Sequence, residues 1–223
     1  VSYAFVTYRT AYMKCHHPRE YMAALLTSVL DNSTKVAEYI AECRDMGIKL
    51  LPPDVNESDA DFTVLGENIR FGLVAIKGIG WGFIEELKAE RESGGPFRTL
   101  DEFCRRMVPR DLNRRAVESL IKAGAFDSLG FKRRALLTAS GPIIDSVTAD
   151  SRKNIAGQLD LFGMGGDESE NESVRTIPLP DVPEFTRQEL MTMERETTGL
   201  YLTGHPMDDY RDRARDVGAV AIG

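Results

Sequence analysis

The chain has 223 residues, 42% hydrophobic and 28% charged, with a formal net charge of −7. That suffices for one good core or two small ones, as expected of a soluble globular protein. No apolar run approaches the ~20 residues of a membrane span, and Val1-Ser2-Tyr3-Ala4 has neither the basic flank nor the apolar core of a signal peptide, so a cytoplasmic setting without a membrane partner is expected.

The apolar stretch Tyr3–Tyr8 predicts a helix continuing through Lys14, and its start without a cap or a methionine reads as a cut through a larger protein. Pro18 suits the first turn of a second helix with Tyr21, Leu25 and Val29 on one face. Asp31-Asn32-Ser33 ends it and caps a third, whose stripe is Val36, Ile40, Cys43 and Met46 before Gly47. Leu50-Leu51-Pro52-Pro53 must be extended. Phe62 and Val64, then Ile69 and Phe71, alternate with polar residues across Gly66-Glu67-Asn68, a β-hairpin pattern.

Helical periodicity resumes at Leu73 and runs, with short breaks, to about Ala149; Thr99 with Glu102 is one capping box. From Asp150 to Pro183 the pattern gives way to Gly163, Gly165, Gly166, acidic residues, serine and three prolines, the composition of a flexible linker. A last helix opens at Thr186 with Glu189 in capping-box spacing, and Val217–Ala221 has strand character.

Charge is unevenly spread. Between Arg98 and Arg134 ten basic residues face five acidic ones, whereas between Asp150 and Tyr210 thirteen acidic residues face five basic ones. A basic middle and an acidic tail suit a chain that touches phosphate with one part and avoids it with another. Cys15, Cys43 and Cys104 are widely spaced, form no CxxC and are expected to be buried thiols. His16-His17 and His205 have no acidic partner at ligand spacing, so no metal site is expected.

The most informative stretch is Leu73–Ile84, a short apolar helix, a Gly78-Ile79-Gly80 turn and a second helix. Glycines let a turn approach a ligand closely, and unpaired amides at a helix start, with the positive end of its dipole, suit a phosphate oxygen. The pattern resembles the helix-hairpin-helix motif used for sequence-independent contact with the DNA backbone; the bland alternative is a tight turn between core helices. Lys77, Gly78, Ile79, Gly80 and Trp81 are the candidate contacts. A degenerate second copy, with one glycine, spans Asn113–Phe126: Val117, Leu120 and Ile121 make the apolar face, and Arg114, Arg115, Lys122 and Gly124 are further candidates.

In the linker, Gln158-Leu159-Asp160-Leu161-Phe162 puts large apolar side chains where no core is expected. It either folds back on its own domain or, as its sequence resembles the clamp-binding peptides of bacterial replication proteins, docks on a sliding clamp.

The order of these features is more specific than any of them. Tyr12–Lys14 through His17-Pro18, Tyr21–Leu26, Leu51–Asn56, Ile76–Gly80, Leu120–Asp127 and Gly199–Pro206 are collinear with, and similar to, the bacterial DNA polymerase III alpha subunits, the replicative C-family polymerases. The resemblance implies a mainly α (α+β) fragment. It would comprise a C-terminal fingers part at 1–65, a tandem helix-hairpin-helix DNA-binding region at 66–149, a linker with the clamp-binding peptide at 150–185, and a helix leading into an OB-fold domain at 186–223. It further implies duplex DNA, the sliding clamp (beta subunit) and the remaining polymerase III subunits as partners. The fragment would have no catalytic residue and no cofactor, because the aspartates that hold Mg2+ for nucleotidyl transfer belong to an upstream palm domain. A different class, a stand-alone helix-hairpin-helix repair or adaptor protein, would need a catalytic residue just past the hairpin; Lys88 is available but reads better as a surface pair among Glu85, Glu86 and Glu90.

Overall fold

The computed structural model describes residues 2–30, 32–110, 112–160, 177–204, 206, 207, 210, 216 and 217, with residues 2, 33 and 153–160 through their backbone alone. The fold is mainly helical. Three helices come first: α1 (Ser2–His16), α2 (Pro18–Ser28) and α3 (Ser33–Asp45). α1 leans on α2 and leaves Tyr3, Phe5, Val6 and Tyr8 exposed. Pro18 opens α2 as predicted, but the helix turns Met22, Ala23 and Leu26 inward, and Tyr21, Leu25 and Val29 lie partly buried on its flank. Asn32 caps α3 by accepting the Lys35 N–H at 3.1 Å, while Val36, Ile40 and Cys43 are buried. Met46 is exposed rather than inward, because α3 stops at Asp45 and Ile48 takes the buried place.

The predicted hairpin is present: β2 (Thr63–Leu65) runs antiparallel to β3 (Asn68–Arg70), with Leu65 opposite Asn68 across Gly66-Glu67. A third strand, β1 (Leu50–Leu51), joins β3 in parallel and gives the order β1-β3-β2. The segment after β1 is a polar brace: Asn56 exchanges two hydrogen bonds with the Phe97 backbone, at 2.8 and 2.9 Å, and the Ser58 hydroxyl donates to the Phe71 carbonyl at 2.8 Å. The boundary expected after residue 65 thus falls within a β-turn, and one buried cluster runs across it from Met22 to Leu200. Its centre holds Phe97, Phe103 and Phe126, stacked edge to face at 4.9 and 5.0 Å.

Five helices follow: α4 (Trp81–Gly94), α5 (Leu100–Met107), α6 (Arg114–Lys122), α7 (Arg133–Asp160) and α8 (Arg187–Thr198). The helix expected at Leu73 is a single 3-10 turn, Leu73–Ala75, because the N–H groups of Leu73 and Val74 go to the carbonyls of Asp59 and Ala60. Thr99 caps α5, but Glu102 returns its carboxylate to the Arg98 N–H at 3.1 Å, so only half of that box closes. The box at Thr186 and Glu189 closes completely.

The expected linker is corrected at both ends. α7 continues past Ala149 to Asp160 on helix-forming residues such as Arg152, Lys153, Ala156 and Leu159. Residues 177–185 lie against the start of α7, where Ile177 and Leu179 pack on the core, and Lys132 donates to Asp181 at 3.2 Å and to the Val182 carbonyl at 3.0 Å. Of the strand expected at Val217–Ala221, only Val217 is among the described residues, exposed in a turn. Among the described residues no helix is long and apolar enough to cross a membrane. Cys43 and Cys104 are buried, and burial pushes their thiols up to about 11 and about 12; Cys15, contrary to expectation, is exposed.

Candidate nucleic-acid interface

The chain enters the first bend from the 3-10 turn, reverses at Lys77-Gly78 with Gly78 in the left-handed region (φ 83°), and starts α4 with Gly80 as its N-cap. The Ile79 side chain anchors the bend in the core, and its N–H is used on the Ile76 carbonyl. Beyond it the backbone is open. Gly80 has no side chain to cap with, and the first bond of the helical ladder is Ile84 N–H to the Gly80 carbonyl. The amides of Trp81, Gly82 and Phe83 therefore have no acceptor within the helix. Gly78, Gly80 and Gly82 are exposed, Lys77 is exposed, and Trp81 is 52% exposed. Ile84 is fully buried, so the bulky residue after the bend is the one that seats α4 on the core.

One predicted donor is taken. The Lys77 N–H points to the Thr197 carbonyl in the last turn of α8, at 2.8 Å. Close by, a Cβ on Gly78 would stand 3.5 Å from the Ser119 hydroxyl, so α6 runs directly beside the bend. Arg115, Ser119 and Lys122 are spaced i, i+4, i+7 on α6 and share one stripe. Neither Arg115 nor Lys122 meets a carboxylate among the described residues. Arg114 lies one residue off that stripe, pairs with Glu118 at 3.3 Å and abuts Gly141. The Ser119 contact thus sets the Gly78 bend beside the α6 stripe that carries Arg115 and Lys122, and Arg114 lies off that stripe.

Most of the basic segment is not free. Arg105 pairs with Asp101 and Asp150, Arg106 with Glu90 and Glu102, Arg110 with Glu86 and Glu90, Lys132 with Asp181, and Arg134 with Glu189. These cations fasten helices to each other, so the local charge excess overstates the phosphate-seeking surface.

Gly124, the candidate of the second copy, serves another purpose. It ends α6 in the left-handed region (φ 84°), with its own N–H on the Ile121 carbonyl and the Ala125 N–H on the Leu120 carbonyl, a Schellman stop. It is buried, and a Cβ there would meet the Arg133 guanidinium at 2.3 Å. It offers no open amide. The next helix start, at Arg133 and Arg134, is also closed: the Glu184 carboxylate accepts both N–H groups, at 2.7 and 3.1 Å.

Beneath this turn lies a network that sequence reasoning missed. Arg133, with a side chain 4% exposed, bonds Asp127 at 2.6 Å and the fully buried Glu194 at 3.0 Å. Burial works against the Arg133 charge, but Asp127 and Glu194 outweigh it and raise its pKa above the usual arginine value. Glu194 also accepts the N–H groups of Leu202 and Thr203, each at 3.0 Å, and the Thr203 hydroxyl at 3.1 Å. The available signal was spacing: Met191, Glu194 and Thr197 fall at i, i+3, i+6, which puts an acid on the inward face of α8.

Of the clamp-peptide candidates, Gln158, Leu159 and Asp160 belong to the last turn of α7 by their backbone, and Leu161 and Phe162 lie outside the described residues. Lys88 does not pair with its helix neighbours; it bonds Asp59 at 3.0 Å. Among the described residues no group of three or more His, Cys, Asp or Glu side chains is placed to hold a metal ion.

A family profile described as a helix-hairpin-helix motif matches residues 47–136, which cover the β-sheet, the first bend, α6 and the Gly124 turn. The DNA polymerase III subunit alpha of Saccharopolyspora erythraea is 45% identical over 210 residues, 92% of this chain and 17% of that protein. The subunit of Mycobacterium tuberculosis is 42% identical over 207 residues, 92% of this chain and 17% of its own length. The subunit of Escherichia coli K12 is 41% identical over 223 residues, 99% of this chain and 19% of its own length. The chain therefore spans less than a fifth of the length of the curated relatives it matches. With an identity of 41–45% over 92–99% of its length and a helix-hairpin-helix match at residues 47–136, the chain corresponds to a stretch of the DNA polymerase III alpha subunits that contains a helix-hairpin-helix motif.

Proposed function

We propose that this chain is a non-catalytic binding part of a replicative polymerase, holding duplex DNA by its backbone at the Lys77–Trp81 bend while the parent protein carries out template-directed synthesis. The observation that carries the reading is the uncapped start of α4: exposed backbone at Gly80 to Gly82, with the Trp81 and Gly82 amides outside the helical ladder, an exposed Lys77, and the Arg115–Lys122 stripe alongside. A phosphate oxygen accepts from several such amides at once and meets the positive end of the helix dipole. None of these groups selects a base, so the contact is sequence-independent. Trp81 adds a flat apolar face for the sugar edge. In this role the chain needs no cofactor of its own, and the Mg2+ of nucleotidyl transfer belongs to a palm domain elsewhere in the parent.

Fluorescence anisotropy with two unrelated duplexes tests the reading. Equal affinity for both, falling steeply with salt, is the expected result; a clear preference for one duplex, or indifference to salt, overturns it.

The second partner proposed is the sliding clamp, through Gln158–Phe162. What supports this is the peptide's composition, an amide and three large apolar side chains at the end of a long helix and ahead of an acidic stretch. Clamp binding that survives Leu161→Ala combined with Phe162→Ala removes the peptide from the account. The repair-enzyme alternative loses its candidate nucleophile, because the Lys88 ammonium is engaged by Asp59.

A further inference from the structure

α8 and the residues that follow it act on the bend from a distance. Gly199, in the left-handed region, stops α8 just after Thr198, so carbonyls of its last turn have no helical donor. One of them, Thr197, takes the Lys77 N–H at 2.8 Å. The first residue of the bend is thereby fastened to α8 and not to its own helix. α8 is in turn located from below. Glu194, fully buried one turn before Thr197, joins the Arg133 guanidinium to the backbone of Leu202 and Thr203. The Arg133 guanidinium also donates to the Lys122 carbonyl at 3.2 Å, at the end of the basic stripe. One buried carboxylate thus ties together α7, the end of α6, the Gly199–Thr203 segment and, through the Thr197 carbonyl, the bend.

We infer that Glu194 is a positioning residue for the DNA-contacting bend, and that α8 with residues 199–203 forms a clasp setting where the open amides of Trp81 and Gly82 stand relative to Arg115 and Lys122. The inference rests on the backbone-binding role proposed above for its effect on affinity, but its mechanical content is independent of that role. Two phosphate-seeking groups on separate elements act together only if their spacing matches successive phosphates, and the clasp is what joins those elements. Glu194 cannot touch DNA itself, since none of its surface reaches solvent.

The test uses the full 223-residue chain and the Glu194→Gln variant, which keeps the side chain's shape and its acceptor for the backbone amides while removing the charge that holds Arg133. Amide hydrogen exchange at residues 77–83 and duplex affinity by anisotropy are read on wild type, Glu194→Gln and Lys77→Ala. The expected outcome for Glu194→Gln is a cooperative melt, exchange of the Lys77 amide at least about tenfold faster, and duplex affinity reduced about fivefold. Lys77→Ala should weaken affinity with exchange at the remaining bend amides unchanged, because only its side chain is lost. Should Glu194→Gln fold poorly, Thr203→Val, at an exposed position, removes one of the Glu194 hydrogen bonds and should move exchange the same way by about twofold. Wild-type exchange at Lys77 in a folded Glu194 variant, or in Thr203→Val where Glu194→Gln does not fold, overturns the clasp. Unchanged affinity in Lys77→Ala, with exchange at Lys77 still accelerated in Glu194→Gln, overturns the DNA reading and leaves the clasp standing.

Discussion

α4 and α7 begin alike and present opposite surfaces. Each follows a turn built on a left-handed glycine, Gly78 before α4 and Gly130 before α7, and each starts with backbone N–H groups that its own ladder does not use. At α4 those groups face outward past a glycine cap. At α7 the Glu184 carboxylate, arriving from 51 positions along the chain, closes two of them. An internal anion thus sits on α7 where a phosphate is proposed to sit on α4. Two helix starts in one chain can divide their labour this way, one kept open for a ligand and the other sealed by the chain itself.

The comparison can be broken most forcefully at Arg133, whose removal leaves Glu194 buried without its cation. Arg133→Ala should cost about 3–5 kcal/mol, the range for breaking a buried pair from one side, in a urea melt; a loss below about 1 kcal/mol would mean the second turn is held by packing alone. Next come the glycines. Gly124→Ala forces a side chain into left-handed backbone, worth about 1–2 kcal/mol by itself, and into the space of the Arg133 guanidinium. Gly80→Ala has nothing within 4 Å of the new Cβ and an ordinary φ of −88°. It should therefore change stability by about 0.5 kcal/mol or less while blocking close approach of a phosphate and weakening duplex binding. If the two glycine variants behave alike in melting and in anisotropy, the division between open and sealed turns is wrong.

Glu184→Ala exposes the start of α7 and should cost about 1 kcal/mol, the usual value of a lost cap, by thermal denaturation. The smallest effects separate the stripes of α6. Arg115→Ala and Lys122→Ala should each reduce the slope of log affinity against log salt by about 0.9, one phosphate contact apiece. Arg114→Ala, already paired with Glu118, should leave that slope unchanged.

Local chemistry was legible wherever a residue acts on its near neighbours. The caps at Asn32 and Thr186, the stop at Gly47, the β2–β3 turn and the Gly78-Ile79-Gly80 bend could all be read before any coordinates, because each is decided within four or five positions. Contacts closed over long separations could not. β1 is two residues long and finds its partner only when Ile69 comes alongside. Lys88 had carboxylates in its own helix but was met by Asp59, and the cationic run from Arg98 to Arg134 looked like a phosphate surface until Glu90, Asp150, Asp181 and Glu194 were placed beside it. Counting charge along a chain misleads when the counter-charges lie elsewhere in sequence.

The length of α7 has a consequence for reach. Its 28 residues span at most about 40 Å at 1.5 Å per residue, with Pro142 inside the helix removing one ladder bond, and its first turn is moored to Glu184 while its last turn leads in sequence to Leu161 and Phe162. Whatever grips the far end is therefore stood off by a stiff spacer, not by a coil whose span fluctuates with its length. A partner at one end and a duplex at the other would be spaced by helix geometry, at a separation that inserting or deleting whole turns could dial.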